Sequence, residues 1–496
     1  MGGEQRVLAQ HAKGRLCARE RLSILLDSDS FAEIGAFVGS IQRGALPVAP
    51  ADAFVMGHGT INGRVVLVGA EDATVMGGTI GIGTFAKRLR LFELAARTSV
   101  PLILLLDGAG MRTRHPNDRS LFVPDDLSAL AGVKGSSPII VGVMGTCAGR
   151  GALTATFADY VVMVNGAALF AAGPPVVNAV SGMDVGVGEL GGVQVHSREA
   201  RSAQTSSNPD SDTSLDYEGS VDVVASNDHE ALGEIRRHFL GLLQEENPKR
   251  APLVETVRSG NVQLVSDRKK LNEVDIREII PSDLTTPWNV LDLLEAISDD
   301  GSLEILAEGG SVVTARLTFF DSKLVVIANQ PNRFDGRLDS EGALAAANAL
   351  VSAADADTPV LLLADSPGLA VGLEAEVSGI LSAAQVLLSE QRRFTGSTIH
   401  VTLRRAYGDI SPLMGLAPFG GQICTLALVG ARIGDLPAET ASDAVRNAVR
   451  NTGSSDAVLA QTEFGGAVDG AEQLLYDNIL APNELIHAIR SALRLL

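Results

Sequence analysis

Two short stretches carry residue types that could do chemistry. Residues 145–155 read GTCAGRGALTA and residues 403–410 read LRRAYGDI. In each, a glycine follows a strand-forming run, so main-chain N–H groups can be left unpaired and aimed at a ligand oxygen. Donors of this kind stabilise a developing oxyanion, each by about 10²–10³ in rate. Glycine after a strand is also an ordinary turn, and a single loop does not separate the two readings. Two equivalent loops point to two oxyanion sites facing each other, one for each of two carbonyl substrates. Arg150 is unexpected between two glycines, where backbone access is the point. No Ser-His-Asp or paired-carboxylate constellation accompanies the loops. Asp107 and Asp365 end strands and are expected to cap the turns that follow. His196 reads as structural.

The loops need elements to hold them, and those elements occur twice. RVVLVGAED (64–72) resembles KLVVIANQP (323–331), and VPLILLLDGAG (100–110) resembles TPVLLLADSPG (358–368). PIIVGVMGTCAGRG (138–151) resembles STIHVTLRRAYGDI (397–410). The spacing is 365 − 107 = 258 for the aspartates, 323 − 64 = 259 for the basic residues and 408 − 149 = 259 for the glycines. PLILLL, PIIVGV, YVVMV and PVLLLA read as buried parallel strands. Between the first two, Phe85, Leu89, Phe92 and Ala96 recur at helical spacing and predict one buried face. EGALAAANALVSAA is the matching helix of the second half. Strands joined by helices give an α/β fold. The expected domains are residues 1–247 and 248–496, with the linker near LLQEENPKRAPLVE. The polar stretch 197–220 reads as a surface insertion.

The 496 residues are 46% hydrophobic and 20% charged, enough for large cores. A net charge of −19 argues against a nucleic-acid partner. Cys17, Cys147 and Cys424 show no metal-ligand spacing, and no metal is expected. A reducing cytoplasm is the simple reading. No secretory h-region and no run of about 20 apolar residues is present, so no membrane association is expected.

The chain resembles the carboxyltransferase β subunit of biotin-dependent acyl-CoA carboxylases, the propionyl-CoA carboxylase type. QHAKGRLCARERLSILLDSDSFAEIGAF, GHGTINGRVVLVGAEDATVMGGTIG, MGTCAGRGALTATFADYVVMV, ELGGVQVHS, TPVLLLADSPG and LRRAYG carry the resemblance, from about residue 10 to 410. It implies two crotonase-like domains, and a hexamer in which the N-domain of one subunit faces the C-domain of another. It also implies carboxyl transfer from carboxybiotin to the α-carbon of an acyl-CoA. No Met-Lys-Met biotinylation motif or ATP-grasp segment is present, so biotin and biotin carboxylase are expected on a partner α subunit. The catalytic candidates are then Gly149, Arg150, Gly408, Asp409 and Ile410. Gly108, Gly110, Arg112, Ala148, Tyr407 and Pro412 are the substrate-binding candidates.

The departures are specific. The family's Cys-Ala-Gly-Gly-Ala has Arg150 for its second glycine, and Ala-Tyr-Gly-Gly-Ala has Asp409 and Ile410 for its last two residues. Both holes lose a small residue, one to a cation and one to an anion. An ion pair between Arg150 and Asp409 across the active-site cleft, within or between subunits, is one reading; two solvated side chains are the other. Residues 372–390 contain no Lys or Arg, where relatives place basic residues. Arg112, Arg114 and His115 form a basic cluster for CoA phosphates or a solvated turn. Lys87, Arg88 and Arg90 read as a solvated helix face, with CoA phosphate contact as the alternative. Tyr407 packs against a ligand or belongs to the core. Three functions are compatible with this reading: an active carboxyltransferase, a catalytically silent paralogue that partners an active β subunit, and a crotonase-like enzyme such as a decarboxylase.

Overall fold

The computed structural model describes residues 2–39, 48–112, 126–199, 219–242, 263–264, 275–308, 310–416, 422–434, 436–437, 440 and 463–495. The expected linker and most of the 197–220 insertion lie outside the described residues, as does the expected boundary at 247/248. Two helices open the chain, α1 (Glu4–His11) and α2 (Ala18–Leu25). The first sheet contains β1 (Ala32–Ile34), β2 (Phe54–Ile61), β3 (Arg64–Glu71), β4 (Leu102–Leu106) and β5 (Ile139–Val143). β6 (Thr146–Ala148) and β8 (Ala168–Phe170) pair apart from it, on either side of β7 (Tyr160–Val164) in sequence. β9 (Val223–Ala225) follows, and the first sheet runs β1-β2-β3-β4-β5-β7-β9 among the described residues. The second sheet holds β10 (Gln263–Leu264), β11 (Glu304–Ala307), β12 (Val312–Phe319), β13 (Ser322–Asn329), β14 (Val360–Ser366) and β15 (Thr398–Tyr407). It continues through β16 (Gln422–Leu428) to β19 (Asn478–Leu480), while β17 (Arg432–Gly434) joins β15 and β18 (Glu463–Gly466).

The duplication is visible bond by bond. Ile61 pairs with Arg64 and Phe319 with Ser322, 322 − 64 = 258 residues apart. Leu67 pairs with Leu102, and Val325 with Val360, at the same spacing. Arg64 therefore corresponds to Ser322 rather than to Lys323. Both hairpins turn through two left-handed residues, Asn62 and Gly63 in one and Phe320 and Asp321 in the other. This is the turn that matches strand twist. β2 and β12 share one burial pattern, in which the fifth residue, His58 or Arg316, is the exposed one. From β5 onward one extra residue shifts the spacing to 398 − 139 = 259. The predicted strands all form, and β4 and β5 are buried throughout, as central parallel strands must be.

Helix α3 (Ile82–Thr98) joins β3 to β4, and the Ser340–Asp355 helix joins β13 to β14. The second is rich in alanine and capped by Asp339, whose carboxylate accepts Gly342 N–H at 2.9 Å. The buried face of α3 is rotated from the predicted one. Phe85, Arg88, Leu91, Phe92 and Ala95 point inward, while Leu89 and Ala96 lie at its margin. α4 (Asp126–Val133) and α5 (Arg150–Thr156) of the first half pack on the Ile380–Arg393 helix of the second. Leu127, Leu130 and Leu153 share one apolar core with Leu381, Leu387 and Leu413. The two halves of a single chain thus meet directly.

Candidate active site

The loop after β6 and the loop after β15 are built alike. Gly149 and Gly408 have φ of 54° and 59°, a region that an L side chain enters only with strain. Gly149 leads into α5, and Gly408 into the short Ile410–Leu413 helix, with Asp409 as its N-cap. Both glycine amides were expected to be aimed at a ligand. Instead, Gly149 N–H donates to Phe170 O at 2.9 Å and Gly408 N–H to Gly434 O at 2.7 Å. The cause is the sheet: β6 pairs with β8 and β15 with β17, and each glycine adds one more rung to its ladder.

Arg150 and Asp409 form the ion pair, and it is made within one chain. Arg150 Nη2 lies 2.7 Å from Asp409 Oδ1, and Nη1 lies 2.7 Å from Asp126 Oδ1. Arg88 Nε holds the other oxygen of Asp126 at 2.6 Å, and its Nη1 faces Glu71 Oε1 at 3.9 Å. Glu71 Oε2 accepts the Asp107 N–H at 2.8 Å. A buried row of alternating charge therefore crosses from the first half to the second: Glu71, Arg88, Asp126, Arg150, Asp409. It contains three acids and two bases. Burial raises Glu71 to about 7, with Arg88 opposing the rise. Burial also raises Asp409, against the pull of Arg150. Asp126 is pushed up by burial, but Arg88 and Arg150 outweigh this and hold it below the usual carboxylate value.

The row corrects the expected solvated face on α3. Arg88 is fully buried, and Lys87 is buried with its ammonium on the carbonyls of Ala51 and Phe54. Of the three cations, Arg90 alone is exposed. Asp107 and Asp365 are not turn caps. Asp107 accepts Gln10 Nε2 at 3.0 Å and pairs with Arg21 at 2.9 Å. Asp365 accepts Trp288 Nε1 at 2.8 Å and pairs with Arg404 and Arg405 at 2.6 and 2.8 Å. Each aspartate is the buried partner of a cation that ties distant segments to a strand end. The corresponding N–H of Asp365 goes to Asn329 Oδ1 at 3.1 Å, the counterpart of Glu71 in the repeat.

Other candidates divide by position. Gly108, Gly110, Ala148 and Gly149 come together: Gly108 O accepts Ala148 N–H at 3.3 Å, and a side chain on Gly110 would crowd the Ala148 carbonyl. Arg112 pairs with Asp52 and holds the Thr79 carbonyl at 2.8 Å. Arg114 and His115 lie outside the described residues. Tyr407, Ile410 and Pro412 are buried around the second loop. His196 is buried, with Nε2 2.8 Å from Leu169 O, as a structural histidine would be.

Glu376 was not anticipated. It stands on the Leu373–Val377 helix of the second half, buried, and its Oε1 accepts Ala171 N–H of the first half at 2.6 Å. Oε2 has no hydrogen-bond partner among the described residues, and burial pushes the acid up to about 8. Glu376 stands in no motif, and Glu71 lies in the repeated RVVLVGAED block with nothing local to mark it as buried. The only sequence signal for Arg88 is its place between Phe85 and Phe92 at helical spacing.

Twin strand–glycine–helix units joined by a buried charge row define a duplicated α/β protein. Residues 9–463 match the carboxyl transferase domain family, and the chain belongs to it: it is a biotin-dependent carboxyltransferase that acts on acyl-CoA, built of two crotonase-like halves. It is 30% identical to the methylmalonyl-CoA carboxyltransferase 12S subunit of Propionibacterium freudenreichii subsp. shermanii, over 100% of this chain and 91% of that protein. It is 30% identical to the propionyl-CoA carboxylase beta chain of Roseobacter denitrificans, over 83% of this chain and 77% of that one. The solved transcarboxylase 12S hexamer with hydrolysed methylmalonyl-CoA bound is 27% identical, covering 100% of this chain and 92% of its own, with a TM-score of 0.40. No helix among the described residues is long and apolar enough to cross a membrane.

Proposed function

We propose that this chain moves a carboxyl group from carboxybiotin, carried on a separate α subunit with biotin carboxylase, to the α-carbon of an acyl-CoA, working as a hexamer in the cytoplasm. The observation that carries this reading is the pair of matched left-handed glycines, Gly149 and Gly408, each opening a helix beside the charge row that links the halves. Gly108, Gly110 and Ala148 form a close-packed backbone surface next to the first of them, the kind of wall a thioester can approach. Carboxybiotin supplies the activated carboxyl group. The chain's own part is to hold and polarise: helix-start amides after each glycine turn are donors for a carbonyl oxygen. Arg150 and Asp409 set the spacing between the two loops, and Tyr407, Ile410 and Pro412 back the second.

A second reading has an observation of its own. The Arg150–Asp409 pair stands where relatives have small residues, and a chain closed in this way would be a silent partner of an active β subunit. Transcarboxylation with the purified protein, its biotinylated partner and a panel of acyl-CoAs separates the two. Turnover that collapses in Arg150→Ala supports a reworked active site. No turnover with any acyl-CoA, together with stable co-assembly with another β subunit, overturns it in favour of the silent partner.

A further inference from the structure

The N-terminal helix pair holds a side-chain cluster that carboxyl transfer leaves unused. α1 ends at His11, and α2 starts just after Cys17, with Glu20 in its first turn. One ligand atom from each of His11, Cys17 and Glu20 lies within 4.8 Å of the other two. Glu20 is the hub. Both its oxygens are 3.0 Å from His11 Nε2, and Oε2 also accepts the Cys17 backbone N–H at 2.7 Å. That last bond holds Oε2 in place, while Oε1 faces His11. Cys17 is buried, while the His11 and Glu20 side chains are 41% and 38% exposed, so the sulfur forms the floor and solvent reaches the other two.

The frame beneath is rigid. Gln10, beside His11, donates to Asp107 at 3.0 Å, and Arg21, beside Glu20, pairs with Asp107 at 2.9 Å and Asp228 at 2.8 Å. Both helix ends that carry the cluster are thus anchored to one buried aspartate. Imidazole, thiolate and carboxylate together suit a zinc-class ion better than magnesium or calcium, which prefer oxygen alone. With metal–ligand bonds of about 2.0–2.3 Å, tetrahedral ligand atoms stand roughly 3.5 Å apart. A separation of up to 4.8 Å must close by about 1.3 Å, which side-chain rotation at the exposed His11 and Glu20 supplies.

We propose that His11, Cys17 and Glu20 form a surface site for a divalent transition-metal ion of the zinc class, with solvent as fourth ligand. On binding, a sulfur–metal bond replaces the S–H bond and that proton leaves to solvent, while His11 binds as neutral imidazole through Nε2. The ion clamps α1 to α2.

The test is a Co²⁺ titration of the metal-stripped full-length protein, followed by Zn²⁺. One equivalent of Co²⁺ should bind with thiolate-to-cobalt charge-transfer absorption and tetrahedral bands, both removed by Zn²⁺. Cys17→Ser should lose the charge-transfer band. His11→Ala and Glu20→Gln should weaken binding by more than the roughly 100-fold that loss of a merely supporting contact can cost. Cys424→Ser should leave the spectrum unchanged. Only octahedral, weakly bound Co²⁺, or a charge-transfer band that survives Cys17→Ser, overturns the site. His11→Ala changes an exposed side chain, so a folded His11→Ala protein with unaltered Co²⁺ affinity overturns it even if Cys17→Ser does not fold.

Discussion

Arg150 answers to two carboxylates at once, Asp126 on its own side and Asp409 on the other. A buried pair of this kind adds little net stability, because desolvation offsets attraction, but breaking it leaves an uncompensated charge. Arg150→Met should therefore destabilise the chain by about 3–5 kcal/mol, read as a lower urea midpoint with unchanged slope. Arg150→Met combined with Asp409→Ala should recover part of the loss, and strict additivity would show that the two groups do not interact. The pairing of Arg150 with Asp409 could be inferred from matched positions. Asp126 and Arg88 could not, because nothing local distinguishes a charge on a buried helix face from one on a solvated face.

Among elements, the Leu373–Val377 helix carries a buried acid whose ionisation burial opposes. Burial holds Glu376 neutral up to about 8, against an ordinary value of 4.5, while it accepts Ala171 N–H from the first half. Its folded value is raised, so its contribution to stability is complete below pH 4.5. The contribution shrinks as pH rises and is gone above about 8. Glu71 behaves alike up to about 7. Stability should fall by up to about 1.4 kcal/mol per pH unit for each acid within its window. Glu376→Gln should flatten the profile, and its advantage over the native chain should grow from pH 5 to 8 and then level off. Denaturant titrations across that range check this; parallel profiles would show that Glu376 is not the titrating group. The strands and helices themselves were legible from periodicity. The rotated face of α3 was not, because Arg88 takes an inward position that pattern alone awards to leucine.

At the scale of the whole molecule, the halves are not independent bodies. One apolar core runs through α4, α5 and the Ile380–Arg393 helix, and Arg150–Asp409 and Glu376–Ala171 cross the same boundary. An engineered protease site between residues 248 and 262 should yield a nicked protein that still elutes as one species on size exclusion. In Arg150→Met the two fragments should separate at lower urea. Fragments that part at once in buffer would show that the contact between the halves is too weak to position the two loops.

The sequence by itself determined the duplication, the order of strands and helices, the two glycine loops and the family. The first three are read from local periodicity and from spacings preserved along the chain, and the family from the motifs that resemble it. Only the tertiary structure decided which charges lie inside. It buried Lys87 and Arg88, turned Asp107 and Asp365 into ion-pair hubs, and committed Arg112 to Asp52. It also directed the amides of Gly149 and Gly408 to Phe170 and Gly434. The reason is physical: a side chain's environment is set by segments that folding brings beside it, here from 207 residues away in the Arg21–Asp228 pair (228 − 21 = 207), and no local pattern encodes that neighbour.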